Sequence, residues 1–306
     1  MIYTVTLNPA IDCIMQLDEL HTGKTNRAAG AACQAGGKGI NVSVMLRNLG
    51  IESTLLGFLA GFTGEEIRRL LTEQGCSCEF ITVASGHSRI NVKIKGETET
   101  EINGIGPTIT QADAGKLMEQ ILALKSGDTL VLAGSIPSGI SQNIYEEMMQ
   151  QLSGRQVQIA VDAEDALLRR TLPYHPFLIK PNHHELGTLF EREIASISDA
   201  AYYAQKLQDM GARNVLVSMA EKGAVLCTER GRILHQPSAK GRVVNSVGAG
   251  DSMVAGFLAG WQKTQDYAEA LRLGTAAGAA SAFSSGIAQY TAIEAILRTL
   301  PEIEEI

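Results

Sequence analysis

The chain has 306 residues, 45% of them hydrophobic and 19% charged, and a formal net charge of −7. That length and apolar content suffice for one large buried core and exclude a disordered polyelectrolyte. The negative balance argues against whole-surface attraction to nucleic acid or an anionic membrane, so cations that meet an anionic substrate must be gathered locally.

Ile2–Leu7 reads as a strand, with neither the basic n-region nor the long apolar stretch of a signal peptide. Helix Ile40–Leu49, strand Thr54–Phe58 and helix Gly64–Glu73 follow. Ser88–Asn103, SRINVKIKGETETEIN, then breaks the rhythm. Ile90, Val92 and Ile94 alternate with Arg89, Asn91 and Lys93, the period of a strand with one apolar and one polar face. Lys95-Gly96-Glu97 predicts a turn into a second strand ending near Ile102, and this hairpin is expected outside the main sheet, in a small β lid. Further on come helix Ala112–Leu124, strand Thr129–Ala133, helix Gln142–Leu152, and strands Val157–Val161 and Phe177–Lys180. Helix Ala200–Met210, strand Val215–Ser218, and helices Asp251–Gln262 and Tyr267–Ser284 complete the series.

Strands alternating with helices of this length predict an α/β fold, a mostly parallel sheet covered on both faces. Leu130-Val131-Leu132 and Val215-Leu216-Val217 are continuously apolar, as strands buried on both sides require. No apolar run is long enough to span a bilayer, and the Ala- and Gly-rich run Gly274–Ala282 reads as close helix packing. A single domain over 1–306 is expected, in the cytoplasm.

Of the five cysteines only Cys76 and Cys78 are close in sequence, and C-x-C matches no zinc pattern. Free thiols are expected. His183-His184 before Glu185 could be read as a metal site, but adjacent histidines on a helix are expected to point apart.

Ligands of open α/β sheets bind beyond the carboxyl ends of the strands. The residues there include Asn8–Asp12, Gly134–Pro137, Asp162, Lys180–Asn182 and Ser218–Glu221. Two glycine-rich segments open helices. Gly36-Gly37-Lys38-Gly39-Ile40-Asn41 combines close backbone approach, free helix N–H groups and a lysine, which suits an anion. It is not a Walker A loop, because Gly39 stands where Ser or Thr would be needed, and a third glycine for a dinucleotide fingerprint is missing. Gly248-Ala249-Gly250-Asp251 places an acidic side chain among amides that can hold a developing oxyanion. Asp251 could equally be a favourable acidic residue of a first helical turn.

AGGKGINVSVMLRNLG (Ala35–Gly50) and NSVGAGDSMVAGFLAG (Asn245–Gly260), in that order and spacing, resemble the two signatures of the ribokinase-like (phosphofructokinase-B) carbohydrate kinases. Gly134-Ser135-Ile136-Pro137, Lys180-Pro181-Asn182-His183-His184-Glu185 and Ser218-Met219-Ala220-Glu221-Lys222-Gly223 extend the resemblance over almost the whole chain. It implies a doubly wound sheet with a β lid, here from segments near 12–33 and 88–103. It also implies Asp251 as catalytic base and Gly248, Ala249 and Gly250 as anion hole. Lys180, Asn182, Ser218, Glu221, Gly223 and Gly250 would belong to the ATP site, and Asn182 and Glu185 would hold Mg²⁺ through water. Asp12, Gly37 and Asn41 would contact sugar hydroxyls. Most members have glycine where Ala220 stands, so the nucleotide loop is expected to be shaped differently.

Asn26-Arg27, Ser88–Lys93, Thr100–Asn103 and GFLAGFTGEEI (Gly57–Ile67) resemble the branch acting on ketohexose phosphates. Arg89 and Asn91 share one strand face and can point at a ligand under the lid; an arginine grips phosphate bidentately. The expected reaction is transfer of the γ-phosphoryl group of ATP to the 6-hydroxyl of fructose 1-phosphate, with Lys38, Arg89 and Arg27 on the substrate phosphate. The alternatives are tagatose 6-phosphate as acceptor, and a sugar-phosphate-binding regulator without catalysis. By analogy with the family, a homodimer through the lid is expected.

Overall fold

The computed structural model describes residues 1–96 and 98–306; Glu97, in the predicted turn, lies outside the described residues. Strand β1 (Ile2–Thr6) leads directly into β2 (Ala10–Gln16), then β3 (Gly30–Gly36) and helix α1 (Lys38–Asn48). Next come β4 (Ser53–Ala60), α2 (Gly61–Glu73), the short β5 (Ser77–Cys78) and β6 (Ile81–Val83), and the hairpin of β7 (Arg89–Lys95) and β8 (Thr100–Asn103). The middle of the chain holds α3 (Gln111–Leu122), β9 (Thr129–Ala133), α4 (Ile144–Gln151), β10 (Gln158–Asp162) and α5 (Asp165–Thr171). It continues through β11 (Leu178–Ile179), α6 (His183–Phe190), α7 (Ile197–Asp209) and β12 (Asn214–Ser218). Strands β13 (Ala224–Cys227) and β14 (Ile233–Gln236) precede α8 (Ala249–Thr264), α9 (Tyr267–Ala282), α10 (Tyr290–Leu297) and the edge strand β15 (Glu304–Glu305).

The main sheet has the order β15-β14-β13-β12-β11-β10-β9-β1-β4-β5. Its strands from β12 to β5 run parallel, and β13, β14 and β15 add an antiparallel edge. The chain first winds from β1 to β4 on one side, then to β9 and onward on the other. This reversal puts a crevice at the carboxyl ends of β1 and β9, where ligands of such sheets bind.

Val131 packs toward α1, α8 and α9, whereas Leu130 and Leu132 pack toward α3, α4 and α7. That two-sided burial is why these strands read as unbroken apolar runs. The Gly274–Ala282 run is buried within α9, as predicted. A Cβ on Gly256 of α8 would lie 2.6 Å from the Leu273 carbonyl, so glycine permits the close approach of the two helices. Among the described residues no helix is long and apolar enough to cross a membrane.

The lid is a second sheet, β3-β2-β7-β8. Its hairpin matches the prediction from alternation, and two polar residues of β7 are covered. Asn91 and Lys93 are buried, while Ile90 is 41% and Ile102 58% exposed. Asn8–Asp12, expected as a loop beyond the first strand, is a correction: the main-sheet strand ends at Thr6 and Ala10 already begins β2. Strand β3, GAACQAG, lacks the β-branched and aromatic residues that mark a strand. It is held by pairing with β2 from Ala10↔Gly36 to Gln16↔Gly30.

That register also brings two of the cysteines together in space. All five are free thiols, but the close pair is Cys13 and Cys33, directly opposite each other with Sγ atoms 3.0 Å apart. His183 and His184 open α6 with ring centroids 3.9 Å apart, rather than pointing apart as expected. Among the described residues no group of three or more His, Cys, Asp and Glu side chains could hold a metal ion.

Candidate active site

A cleft between the sheet ends and the lid is lined by Asp12, Gly37, Lys38, Asn41, Arg89, Asn91, Lys93, Glu101, Asp162, Lys180, Asn182, Glu185, Gly248, Gly250 and Asp251, among others. Its floor is built by the starts of α1 and α8. Gly248, the N-cap of α8, has φ +79°, a left-handed conformation that glycine adopts without a Cβ penalty. The amides of Gly248, Gly250 and Asp251 make no hydrogen bond within the described residues, whereas Ala249 N–H donates to Ser246 O at 3.3 Å. The amide nest of the floor therefore differs by one residue from the expected Gly248–Gly250 set. A Cβ on Gly250 would lie 3.0 Å from Lys180 Nζ, so this glycine lets the ammonium rest against the helix start.

Asp251 is buried, and Asn41 Nδ2 donates to its Oδ2 at 2.8 Å. The two glycine-rich motifs, 210 residues apart in sequence, thus meet in one hydrogen bond. Burial first, and the neighbouring Asp162 carboxylate second, push the Asp251 carboxyl up to about 7. Burial would raise Asp162 as well, but Lys180 and Lys38 hold it below its ordinary value. Their ammonium groups lie 3.7 and 3.4 Å from Asp162 Oδ1. The lysines thus separate two neighbouring carboxyls into one that stays ionised and one that can exchange a proton near neutrality, the pattern of an acid–base site.

Lys38 also lies 3.4 Å from Glu164 Oε1. Burial would lower its pKa, but Asp162 first and then Asp251 hold it above the ordinary value. The lysine placed by the sequence on the substrate phosphate is thus drawn toward the carboxylates beside Asp251. Arg89 differs. Its Nε donates to Asn8 O at 2.9 Å, and it has no carboxylate within 4.0 Å among the described residues. Burial holds its pKa below the ordinary value, against the smaller opposing pull of Asp12. Beside it opens a side cavity of about 410 Å³, also lined by Lys38, Ser135, Gln142 and Arg170.

The remaining residues take varied places. Asp12 accepts from Asn91 Nδ2 at 2.8 Å and pairs with Lys93 Nζ at 3.0 Å, an arrangement set by the Asp12↔Asn91 register of β2 and β7. Gly37 caps α1 at the cleft wall. Asn182 and Glu185 form a capping box: Asn182 N–H donates to Glu185 Oε2, and Asn182 Oδ1 accepts from Glu185 N–H, both at 2.8 Å. Ser218 lies beside them, its N–H donating to Pro181 O. Glu221 lines a separate cavity with His183, His184 and Lys222. Gly223 has φ +90° and packs on β14. Ala220, where glycine was expected from the resemblance, holds a left-handed φ of +49°. Arg27 is exposed in the loop between β2 and β3 and does not line the cleft.

Asp162 and Lys93 are among the cleft residues not assigned from sequence. Asp162 was placed at the strand end but given no role; its signal is an acidic residue closing an apolar strand. Lys93 shares the β7 face of Arg89 and Asn91, and that periodicity could have found it.

The profile of the pfkB family of carbohydrate kinases matches residues 5–292. The chain is similar to the 1-phosphofructokinase of Bacillus subtilis (strain 168), 44% identical over 304 residues and 99% of each chain. It is similar to the D-tagatose-1-phosphate kinase of Bacillus licheniformis, 37% identical over 295 residues and 96% of each chain. Among solved structures, the phosphofructokinase-2 from Escherichia coli in complex with substrates and products aligns with a TM-score of 0.92, at 26% identity, covering 98% of this chain and 99% of that one.

Proposed function

The chain belongs to the pfkB family of carbohydrate kinases, and on that premise we propose that it transfers the γ-phosphoryl group of ATP to the 6-hydroxyl of fructose 1-phosphate, giving ADP and fructose 1,6-bisphosphate. The observation that carries this reading is one cleft with two unlike ends: a buried carboxyl near neutrality among free amides, and a half-buried arginine with no carboxylate partner among the described residues. The second end suits an acceptor that already bears phosphate.

Phosphoryl transfer needs alignment and charge neutralisation more than covalent help. Asp251 takes the proton of the attacking hydroxyl, a role worth about 10²- to 10⁴-fold. Asn41 fixes the carboxyl in place. The free amides of Gly248, Gly250 and Asp251, with the Lys180 ammonium, stabilise charge on the transferring oxygens. Arg89 holds the 1-phosphate in a fork, which orients the 6-hydroxyl toward Asp251. Asp12, Gly37, Asn41 and Asn91 face the sugar hydroxyls. Ser218, Glu221 and Gly223 lie on the nucleotide side, and Arg27 is left out of the site.

The oxygen donors fit Mg²⁺, a hard cation that keeps several waters. Asp162 Oδ2 is buried without a hydrogen-bond partner, and Glu185 Oε1 is left over from the capping box. Asp162 would hold the ion directly, and Asn182 and Glu185 through water. When bound, it supplies neutralisation of the ATP phosphate charge.

We place the protein in the cytoplasm, where ATP is available, and propose a homodimer joined through the outer lid face that exposes Met15, Ile90 and Ile102. A second acceptor, tagatose 1-phosphate, is favoured by the relative from Bacillus licheniformis and replaces tagatose 6-phosphate as the alternative. The test is ADP release with ATP and a panel of fructose 1-phosphate, tagatose 1-phosphate, fructose 6-phosphate and fructose. The highest kcat/KM is expected with fructose 1-phosphate. A preference for the unphosphorylated sugar would overturn the role given to Arg89.

A further inference from the structure

Lys95 ends the lid strand that Arg89 begins. Alternate side chains share one side of a strand, so Arg89, Asn91, Lys93 and Lys95 lie in a row. The first three line the cleft. The fourth reaches out of the lid: Lys95 Nζ donates to Asn245 Oδ1 at 3.4 Å. Among the described residues this is the one side-chain hydrogen bond between the lid and the segment 237–248 that leads from β14 into α8.

Asn245 is buried and ties that segment down. Its Oδ1 also accepts from Val247 N–H at 3.2 Å, its Nδ2 donates to Ser285 O at 3.2 Å, and its main-chain N–H donates to Ala282 O at 3.1 Å. Val247 and Gly248 follow at the cleft wall, and Gly248 carries one of the free amides. A lid held at Asn245 is therefore held to the turn that sets the amide nest. At the lid end, Lys95 O accepts from Leu17 N–H at 2.9 Å, just beyond β2, and Glu99 Oε1 lies 3.8 Å from Nζ. The 3.4 Å contact is long for a hydrogen bond, so it opens at little cost.

We infer that Lys95 is a positioning residue that latches the lid tip to the turn before α8, so that the acceptor side and the nucleotide side of the cleft close as one. Arg89 and Asn91 sit on the same strand as the latch, so an acceptor that orders β7 also favours the bond to Asn245. The effect is reciprocal: a nucleotide that orders the nest favours the closed lid. This coupling rests on the reading of the cleft as a two-substrate kinase site; the latch itself rests on the contact alone. Lys95 and Ile90 lie on opposite sides of β7, so the outer face proposed for the dimer leaves the latch uncovered.

Lys95→Met keeps the aliphatic stem and removes the donor; Lys95→Arg keeps the charge and the reach. Hydrogen exchange of the full chain without ligands should show residues 89–95 and 243–248 of Lys95→Met exchanging about fivefold faster than in wild type, the worth of one hydrogen bond of ordinary net strength. Residues of α9 should be unchanged, and Lys95→Arg should restore the wild-type rates. Calorimetric titration with a non-hydrolysable ATP analogue should show fructose 1-phosphate tightening the analogue in wild type and Lys95→Arg, and about fivefold less in Lys95→Met. Unchanged exchange at either end of the contact, or equal coupling in wild type and Lys95→Met, overturns the latch. If wild type binds no fructose 1-phosphate, the choice of acceptor falls and the exchange rates alone decide the latch.

Discussion

Asp251→Asn isolates the proposed base with little steric change. Asparagine keeps an oxygen to accept the 2.8 Å bond from Asn41 Nδ2 but cannot take a proton from a hydroxyl. The substitution should lower kcat by about 10²- to 10⁴-fold. It should also stabilise the fold at alkaline pH. The Asp251 carboxyl is raised from 3.8 to about 7, so the folded chain holds that proton more tightly than the unfolded chain does. The resulting stability is fully present below about pH 4 and is lost as pH rises through 7. At about 1.4 kcal/mol for each tenfold change in proton affinity, the loss is up to roughly 4 kcal/mol. Asparagine carries no such cost, so the variant should exceed wild type by a few kcal/mol at pH 8 and match it near pH 4. Wild-type kcat/KM should rise with pH through about 7. Coupled ADP release measures the rate, and thermal unfolding at both pH values measures stability. A variant within tenfold of wild-type kcat, or one with no stability gain at pH 8, would refute the reasoning.

Arg89→Ala should raise KM for fructose 1-phosphate with KM for ATP unchanged, by the about 1.5–3 kcal/mol of hydrogen bonds to a charged group; initial-rate kinetics with each substrate varied decide it. Ala220→Gly relieves a left-handed alanine at φ +49° and should stabilise by about 1 kcal/mol, read in urea unfolding. A loss of stability would show that the turn does not strain Ala220. Asn182→Ala removes the side-chain acceptor for Glu185 N–H, one half of the α6 capping box, and should cost about 1 kcal/mol in the same experiment.

The layered core was legible because its strands are buried on both faces and read as apolar runs. Thr129–Ala133 matches its predicted bounds, and Tyr267 starts the predicted last long helix. The lid hairpin announced itself by alternation, and the face of Arg89, Asn91 and Lys93 lines the cleft. Strand β3 carried little signal, because its alanines and glycines gain their conformation from a partner strand. Helix α6 was missed for a related reason: it is short, and Asn182 and Glu185 were read as metal-binding residues while also serving as its cap. The two glycine motifs of the proposed catalytic site were visible, but their meeting at Asn41 and Asp251 is a long-range contact beyond local pattern. Lys38 illustrates the same limit. A lysine in a glycine turn suits an anion, yet its ion pairs depend on Asp162 and Glu164, which only the fold brings near. Arg27 shows that a motif resemblance does not place a loop side chain.

The most direct measurement is phosphorus and carbon NMR of the product formed from ATP and fructose 1-phosphate. The account predicts a new phosphate ester on carbon 6, with one ADP for each fructose 1,6-bisphosphate. ADP formed without a bisphosphate, or an ester at any other hydroxyl, would contradict it.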